Sequence, residues 1–191
     1  MEGIKFLWEF VKHPLSVGAL WPSSPALAAA MAATVDWPQA RVVAEYGPGT
    51  GAFTGQLVSR AQADTKLFAV ELNPNLADAL RRKHPSLSVH CRSITDVAEI
   101  CQTEKVDGID AIVCGLPWAA FSADLQDRLL AATVRVLREG GTFATFAYLQ
   151  GSVLPSGRRF RARLGASFSS VERLPVVWSN LPPAFVYYCR K

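Results

Sequence analysis

Glu45-Tyr46-Gly47-Pro48-Gly49-Thr50-Gly51 closes the first apolar, β-branched run of the chain. Three alternate glycines allow a sharp turn and a close approach of backbone to another group. The run before them, residues 41–46 (RVVAEY), reads as a strand, and a helix is expected over residues 53–62. A strand, a glycine turn and a helix in that order make the first half of a βα unit. Working outward, the same alternation repeats. Residues 66–71 (KLFAVE) form a second strand, and Pro74 suits the first turn of a helix that ends near His84-Pro85. Residues 87–91 and 109–114 (IDAIVC) are the third and fourth strands. Leu125, Leu129, Leu130, Val134 and Leu137 are spaced as one helical face over residues 123–137. Gly140-Gly141 is expected to stop that helix, with a fifth strand over residues 142–148 and a short helix over 157–164. Residues 168–178 and 184–189 then read as two strands joined by a turn at 179–183.

Alternating βα units predict an α/β fold, a seven-stranded Rossmann-like sheet with helices on both faces. The last two strands have no helix between them and are expected to pair as an antiparallel hairpin at one edge. Residues 41–191 form this domain, and residues 1–40 stand before it as an N-terminal helical extension. In the extension, Ile4, Leu7, Trp8 and Val11 share one helical face flanked by Phe6 and Phe10, while Lys5, Glu9 and Lys12 share the other. Pro14 ends this amphipathic leader. After Trp21-Pro22, Ser23 or Ser24 caps an Ala-rich helix with Pro25 in its first turn.

Composition bounds the rest. Of 191 residues, 50% are apolar and 19% charged, and mean hydropathy is +0.15, which excludes disorder for the bulk of the chain. No apolar run reaches the ~18–20 residues of a membrane span, and the N-terminus carries Glu2 and Glu9 in place of a signal-peptide core. Net charge is +4, with seven basic residues against one acid from residue 140 onward. That quarter suggests an anionic partner or a solvated arginine face. Cys91, Cys101, Cys114 and Cys189 show no metal spacing and read as reduced thiols of a cytoplasmic protein. His13, His84 and His90 form no ligand pattern, so no metal is expected.

Glu71 ends the second strand 20 residues after Gly51. An acid there can accept hydrogen bonds from ribose hydroxyls, so loop and acid together indicate a nucleoside-containing cofactor. The GxGxG spacing, with an acid two residues before its first glycine, resembles class I S-adenosylmethionine-dependent methyltransferases from about residue 41 to the end. That resemblance implies S-adenosyl-L-methionine as cofactor and S-adenosyl-L-homocysteine as product. It implies that Gly47, Gly49 and Gly51 pass under the methionine part, that Glu45 lies near its amine, and that Glu71, with Leu72 beside it, binds the ribose. Where the family often has Gly-Asp after the third strand, this chain has Arg92-Ser93. Ser93 or Ile94 is then expected at the adenine, with Asp96 either nearby or capping the next helix. Cys114 closes the cofactor side.

Cys114-Gly115-Leu116-Pro117-Trp118 ends the fourth strand, where the family keeps its substrate-proximal residues. Adenine-N6 methyltransferases carry Asn/Asp-Pro-Pro-aromatic here. This chain keeps the proline and the aromatic without the polar first residue, leaving the Gly115 and Leu116 carbonyls as acceptors and Trp118 as a wall. Gly-Leu-Pro, the leader, the Pro-Ser-Ser segment and the closing Asn180-Leu181-Pro182-Pro183-Ala184 and Arg190-Lys191 resemble the bacterial phospholipid N-methyltransferases. The resemblance implies stepwise methylation of phosphatidylethanolamine by an enzyme peripherally associated with an anionic membrane surface. The leader and the arginines at 158–163 would meet that surface. Tyr46, Trp118 and Phe121 would surround the nitrogen. Tyr46, Tyr148 and Asn180 are the candidates for orienting it. RNA is the alternative partner, through the same arginines, since relatives are often labelled rRNA adenine methyltransferases, although the helical domain that rRNA dimethylases append has no counterpart here. A small-molecule N- or O-methyltransferase is a third reading.

Overall fold

A computed structural model describes residues 23–191. The expected leader helix and Trp21-Pro22 lie outside the described residues. The elements run in order α1 (Pro25–Ala32), β1 (Val42–Tyr46), α2 (Thr54–Arg60), β2 (Lys66–Val70), α3 (Pro74–Lys83), β3 (Ser88–His90), α4 (Val97–Glu104), β4 (Ile109–Cys114), α5 (Ala123–Val136), β5 (Leu137–Tyr148), α6 (Leu149–Ser152), α7 (Pro155–Ser167), β6 (Ser170–Arg173) and β7 (Ala184–Arg190). Seven strands make one sheet in the order β3-β2-β1-β4-β5-β7-β6. The first five are parallel, and β7 lies antiparallel between β5 and β6.

Strands buried on both faces need apolar side chains at successive positions. On β1, Val42, Ala44 and Tyr46 join the core beneath α4, α5 and α7, with Phe68, Ile112 and Phe143 beside them. Val43 belongs to the opposite core, with Leu27 and Met31 of α1, Phe53 and Leu57. Glu45 is the exception, an acid wholly buried in a central strand. Asp110 ties down the start of β1, its Oδ2 accepting the Arg41 and Val42 N–H groups at 2.8 Å while Oδ1 accepts Arg138 Nη1 at 2.6 Å. Ser24 is the N-cap of α1, with Pro25 at its first position and Oγ accepting Leu27 N–H.

Three boundaries differ from the sequence pattern. The helix α5 ends at Val136, and Gly140-Gly141 lies inside β5, where the register against β4 shifts between Ile109 and Ala111. The glycines therefore accommodate a bulge, a role that gives the same local signal as a helix stop. The edge strand β6 covers four residues, with one isolated bridge from Val177 to Ala184. Pro175 has no N–H for a ladder, and Phe168 instead ends α7 and stacks on Phe143, ring centroids 5.4 Å apart. The helix α7 is longer than its apolar spacing suggested, and α6 adds a turn before it.

Candidate active site

The order of the sheet reverses between β1 and β4, and ligands of open α/β sheets bind where such a reversal separates two loops. Tyr46 O accepts Gly115 N–H at 2.8 Å, and Val70 O accepts Gly47 N–H at 2.9 Å, so the loops after β1, β2 and β4 converge. Gly47, Gly49 and Gly51 all have positive φ. At Gly47 a side chain meets two obstacles: φ is +61°, and an added Cβ would lie 2.5 Å from Leu116 Cδ2. A Cβ on Gly115 would lie 2.7 Å from Gly47 O, so glycine lets the two loops touch.

Glu71 braces the loop. Its Oε2 accepts Gly49 N–H and its Oε1 accepts Asn73 N–H, both at 2.9 Å. Desolvation raises its pKa, and the backbone hydrogen bonds from Asn73, Gly49 and Leu72 temper the rise. Glu45 Oε2 accepts Thr54 Oγ1–H at 2.7 Å, while Oε1 is buried with no hydrogen-bond partner among the described residues. Burial pushes the Glu45 carboxyl up to about 8, opposed by the Thr54 hydrogen bond and reinforced by Glu71.

A cavity of about 250 Å³ lies over this loop. Gly47, Gly49, Glu71, Leu72, Ser93 and Ile94 line it, and Gly115, Leu116 and Pro117 close its far wall. Six of the nine residues expected on the cofactor side are thus brought together. Gly51, Glu45 and Cys114 are not on the wall. Gly51 forms the turn into α2 against Leu80, and Cys114 is a core thiol whose pKa burial pushes up to about 12. Ser93 Oγ accepts from Thr95 N–H and Oγ1–H at 3.2 and 2.7 Å. Asp96 precedes α4 without a side-chain capping bond and pairs with Arg92 at 3.5 Å. Thr50, Val70, Leu76, Arg92 and Leu129 also line the cavity, beyond the residues expected there. Thr50 sits in the quoted loop, but Leu129 gave only the signal of a core-facing helix position.

A second cavity of about 410 Å³ shares Gly115, Leu116 and Pro117 with the first. Trp118, Phe146, Tyr148, Leu154, Phe160 and Tyr187 form most of its wall, and Ser152 and Ser156 contribute hydroxyls. Trp118 stacks on Phe160, centroids 5.0 Å apart and planes 18° apart. Tyr148 meets Phe146 edge to face at 5.5 Å. Burial raises the pKa of both Tyr148 and Tyr187, the latter partly offset by Arg161 and Arg173. The contributions from β7, α6 and α7 had no local signal, because they assemble only when β7 inserts beside β5.

Several expected acceptor-side roles are corrected. Tyr46 lines neither cavity: strand alternation turns its ring into the core with Val42 and Ala44, wholly buried, and its pKa rises well above the ordinary value. Phe121 sits behind Trp118 in edge contact. Leu116 O already accepts Trp118 N–H at 3.0 Å. Asn180 is buried as a structural bridge, its Oδ1 accepting Ser24 N–H at 2.8 Å and its Nδ2 donating to Pro182 O at 2.7 Å. Among the described residues no group of His, Cys, Asp or Glu could hold a metal, and no helix is long and apolar enough to cross a membrane.

Comparison with known proteins gives matching results. The family described as "Methyltransferase domain" matches residues 43–141. An ornithine lipid N-methyltransferase of Singulisphaera acidiphila is 31% identical over 97% of this chain and 94% of its own. An O-methyltransferase of Bacillus cereus, solved in complex with S-adenosylhomocysteine, superimposes with a TM-score of 0.71 at 16% identity, covering 98% of this chain and 90% of that one. TomG, an O-methyltransferase of Streptomyces achromogenes solved with S-adenosylmethionine, gives 0.68 at 14% identity, covering 98% and 88%.

Proposed function

The chain belongs to the methyltransferase domain family and is an S-adenosylmethionine-dependent methyltransferase, and from that premise we propose that its acceptor is the amine of a membrane lipid, phosphatidylethanolamine and its methylated forms. The observation that carries the reading is the apolar second cavity, which touches the first through the shared 115–117 strip. Such a wall suits acyl chains and the methylene stem of a headgroup better than a charged nucleotide. The relative from Singulisphaera, aligned over nearly the whole chain, carries a lipid amine acceptor in its name. Ornithine lipid and phosphatidylethanolamine both present an amine on an amphiphile.

The residues fit the cofactor. The positive-φ loop leaves room for a close backbone approach, and Glu71 offers carboxylate oxygens at the cavity wall. When bound, the cofactor supplies an electrophilic methyl on a sulfonium. This chain's part is alignment and exclusion of water. Gly115, Leu116 and Pro117 separate and connect the two cavities, so an amine held on the acceptor side faces them. Trp118 and Tyr148 shape that side. Tyr148 and Tyr187 keep their protons at neutral pH, since burial raises both, so their hydroxyls orient the headgroup and do not serve as base. The lipid ammonium loses its proton to solvent before transfer, and the rate rises with pH accordingly.

The test offers radiolabelled cofactor side by side to vesicles of phosphatidylethanolamine, vesicles of ornithine lipid, and rRNA. Label in phosphatidylethanolamine is the expected outcome. Label only in ornithine lipid corrects the headgroup, and label only in RNA overturns the lipid reading.

A further inference from the structure

Four large apolar side chains are exposed among the described residues: Val153 and Leu154, at 62% and 54%, and Trp178 and Leu181, each at 70%. They come from two stretches far apart in sequence, yet both stretches leave the sheet at one place. Tyr148, the last residue of β5, pairs with Ala184, the first of β7. Val153 and Leu154 follow β5 through α6, and Trp178 and Leu181 lie in the connection that enters β7. Pro183 O accepts Leu149 N–H at 2.8 Å, which clips that connection to the start of α6. The acceptor cavity opens at the same end. Leu154 is both exposed and part of its wall.

Charge continues the pattern. The helix α7 starts at this corner, buries Gly157, Phe160 and Leu164, and carries no acid. Arg158, Arg159 and Arg161 are exposed and have no ion-pair partner among the described residues, whereas Arg163 is held by Asp127 at 2.7 Å. At 1.5 Å of rise per residue, the three lie within about 10 Å of Leu154 along the helix axis. An apolar tip followed at that spacing by cations matches the acyl-to-headgroup gradient of an anionic leaflet.

We infer that the two apolar corners, 153–154 and 178–181, dip together into an anionic bilayer and bracket the mouth of the acceptor cavity, with Arg158, Arg159 and Arg161 on the headgroups. This deepens the lipid-amine reading and rests on it for the meaning of the cavity. The lipid then enters from the leaflet without crossing water.

Vesicle sedimentation of the full chain tests the surface without any methyl transfer. The probe is vesicles of equimolar phosphatidylglycerol and phosphatidylcholine. Val153→Ser combined with Trp178→Ser and Leu181→Ser is expected to weaken binding at least tenfold. Neutralising Arg158, Arg159 and Arg161 to Gln is expected to weaken it about fivefold per residue, the equivalent of ~1 kcal/mol each. Thermal midpoint and affinity for S-adenosylhomocysteine should stay as in the parent, since none of these positions lines the first cavity. Parent-like vesicle binding by both variants overturns the inference, as does failure of the parent to bind. Binding of RNA in place of vesicles, lost with the arginines and kept without the apolar side chains, also overturns it. Vesicle binding lost in the variants while the parent methylates no lipid amine leaves the surface standing and removes the acceptor reading. Methylation of lipid by a parent whose variants bind vesicles normally does the reverse.

Discussion

Glu45 shows how one side chain links folding to ligand. Burial raises its carboxyl to about 8, so the folded chain keeps a proton that the unfolded chain releases near 4.5. The folded state therefore binds more protons between those values. Stability from this group is complete below about pH 4.5 and is lost as pH rises through about 8, at no more than about 1.4 kcal/mol per pH unit. Glu45→Gln should flatten that slope in thermal melts of the ligand-free protein. Glu45 is not on the cavity wall, but the family resemblance puts it near the cofactor's amine, and that adds a second expectation. A cation there favours the carboxylate, so binding at neutral pH should release a proton, visible by calorimetry in buffers of different ionisation enthalpy. Gly47→Ala is a sharper test of the loop. The added methyl meets Leu116 at 2.5 Å and a φ of +61°, and cofactor affinity should fall at least a hundredfold, with a loss in stability of about 1–3 kcal/mol.

Among elements, the α6–α7 corner shapes the acceptor side. Gly157 packs on the turn before it so closely that an added Cβ would lie 2.3 Å from Gly151 O. Gly157→Ala must push α7 away from α6, and both line the second cavity. Overpacking of this kind costs about 1–3 kcal/mol. The expected result is a lower thermal midpoint and a raised KM for the proposed lipid acceptor, with S-adenosylhomocysteine affinity unchanged. A parallel loss of cofactor affinity would show that the two cavities do not act separately. Legibility followed element type. The first five strands and their helices carry strong periodicity and capping signals, as at Ser24 and Pro74. The bulge at Gly140-Gly141 and the short β6 turn on pairing partners that no local window contains.

For the whole molecule, a ligand that binds only the folded state raises stability by RT ln(1 + [L]/Kd), about 2.7 kcal/mol at a hundredfold excess over Kd. For a chain of this size the thermal midpoint should rise by about 5–10 °C with S-adenosylhomocysteine. Because loops from both sides of the β1–β4 reversal build the first cavity, a ligand bound there would hold the two halves of the sheet together. The protection should therefore appear in hydrogen exchange on both β2 and β4.

The sequence by itself determined the sheet, its helices on both faces and six of the residues that line the first cavity, because these rest on features a short window contains: alternating apolar runs, the 45–51 loop, and an acid at the next strand end. The terminal antiparallel strands were legible for the same reason, since no helix separates them. Only the tertiary structure decided which side chains face the acceptor. Tyr46 lies two residues from a lining glycine yet turns into the core, because successive residues of a strand point to opposite faces. Trp118 and Tyr148 were expected there from the strand ends, but Leu154, Phe160 and Tyr187 join them only because β7 lies beside β5 and α7 packs against the same cavity. That convergence is set by long-range packing, and Leu154, Phe160 and Tyr187 taken alone in the sequence carry no signal of it.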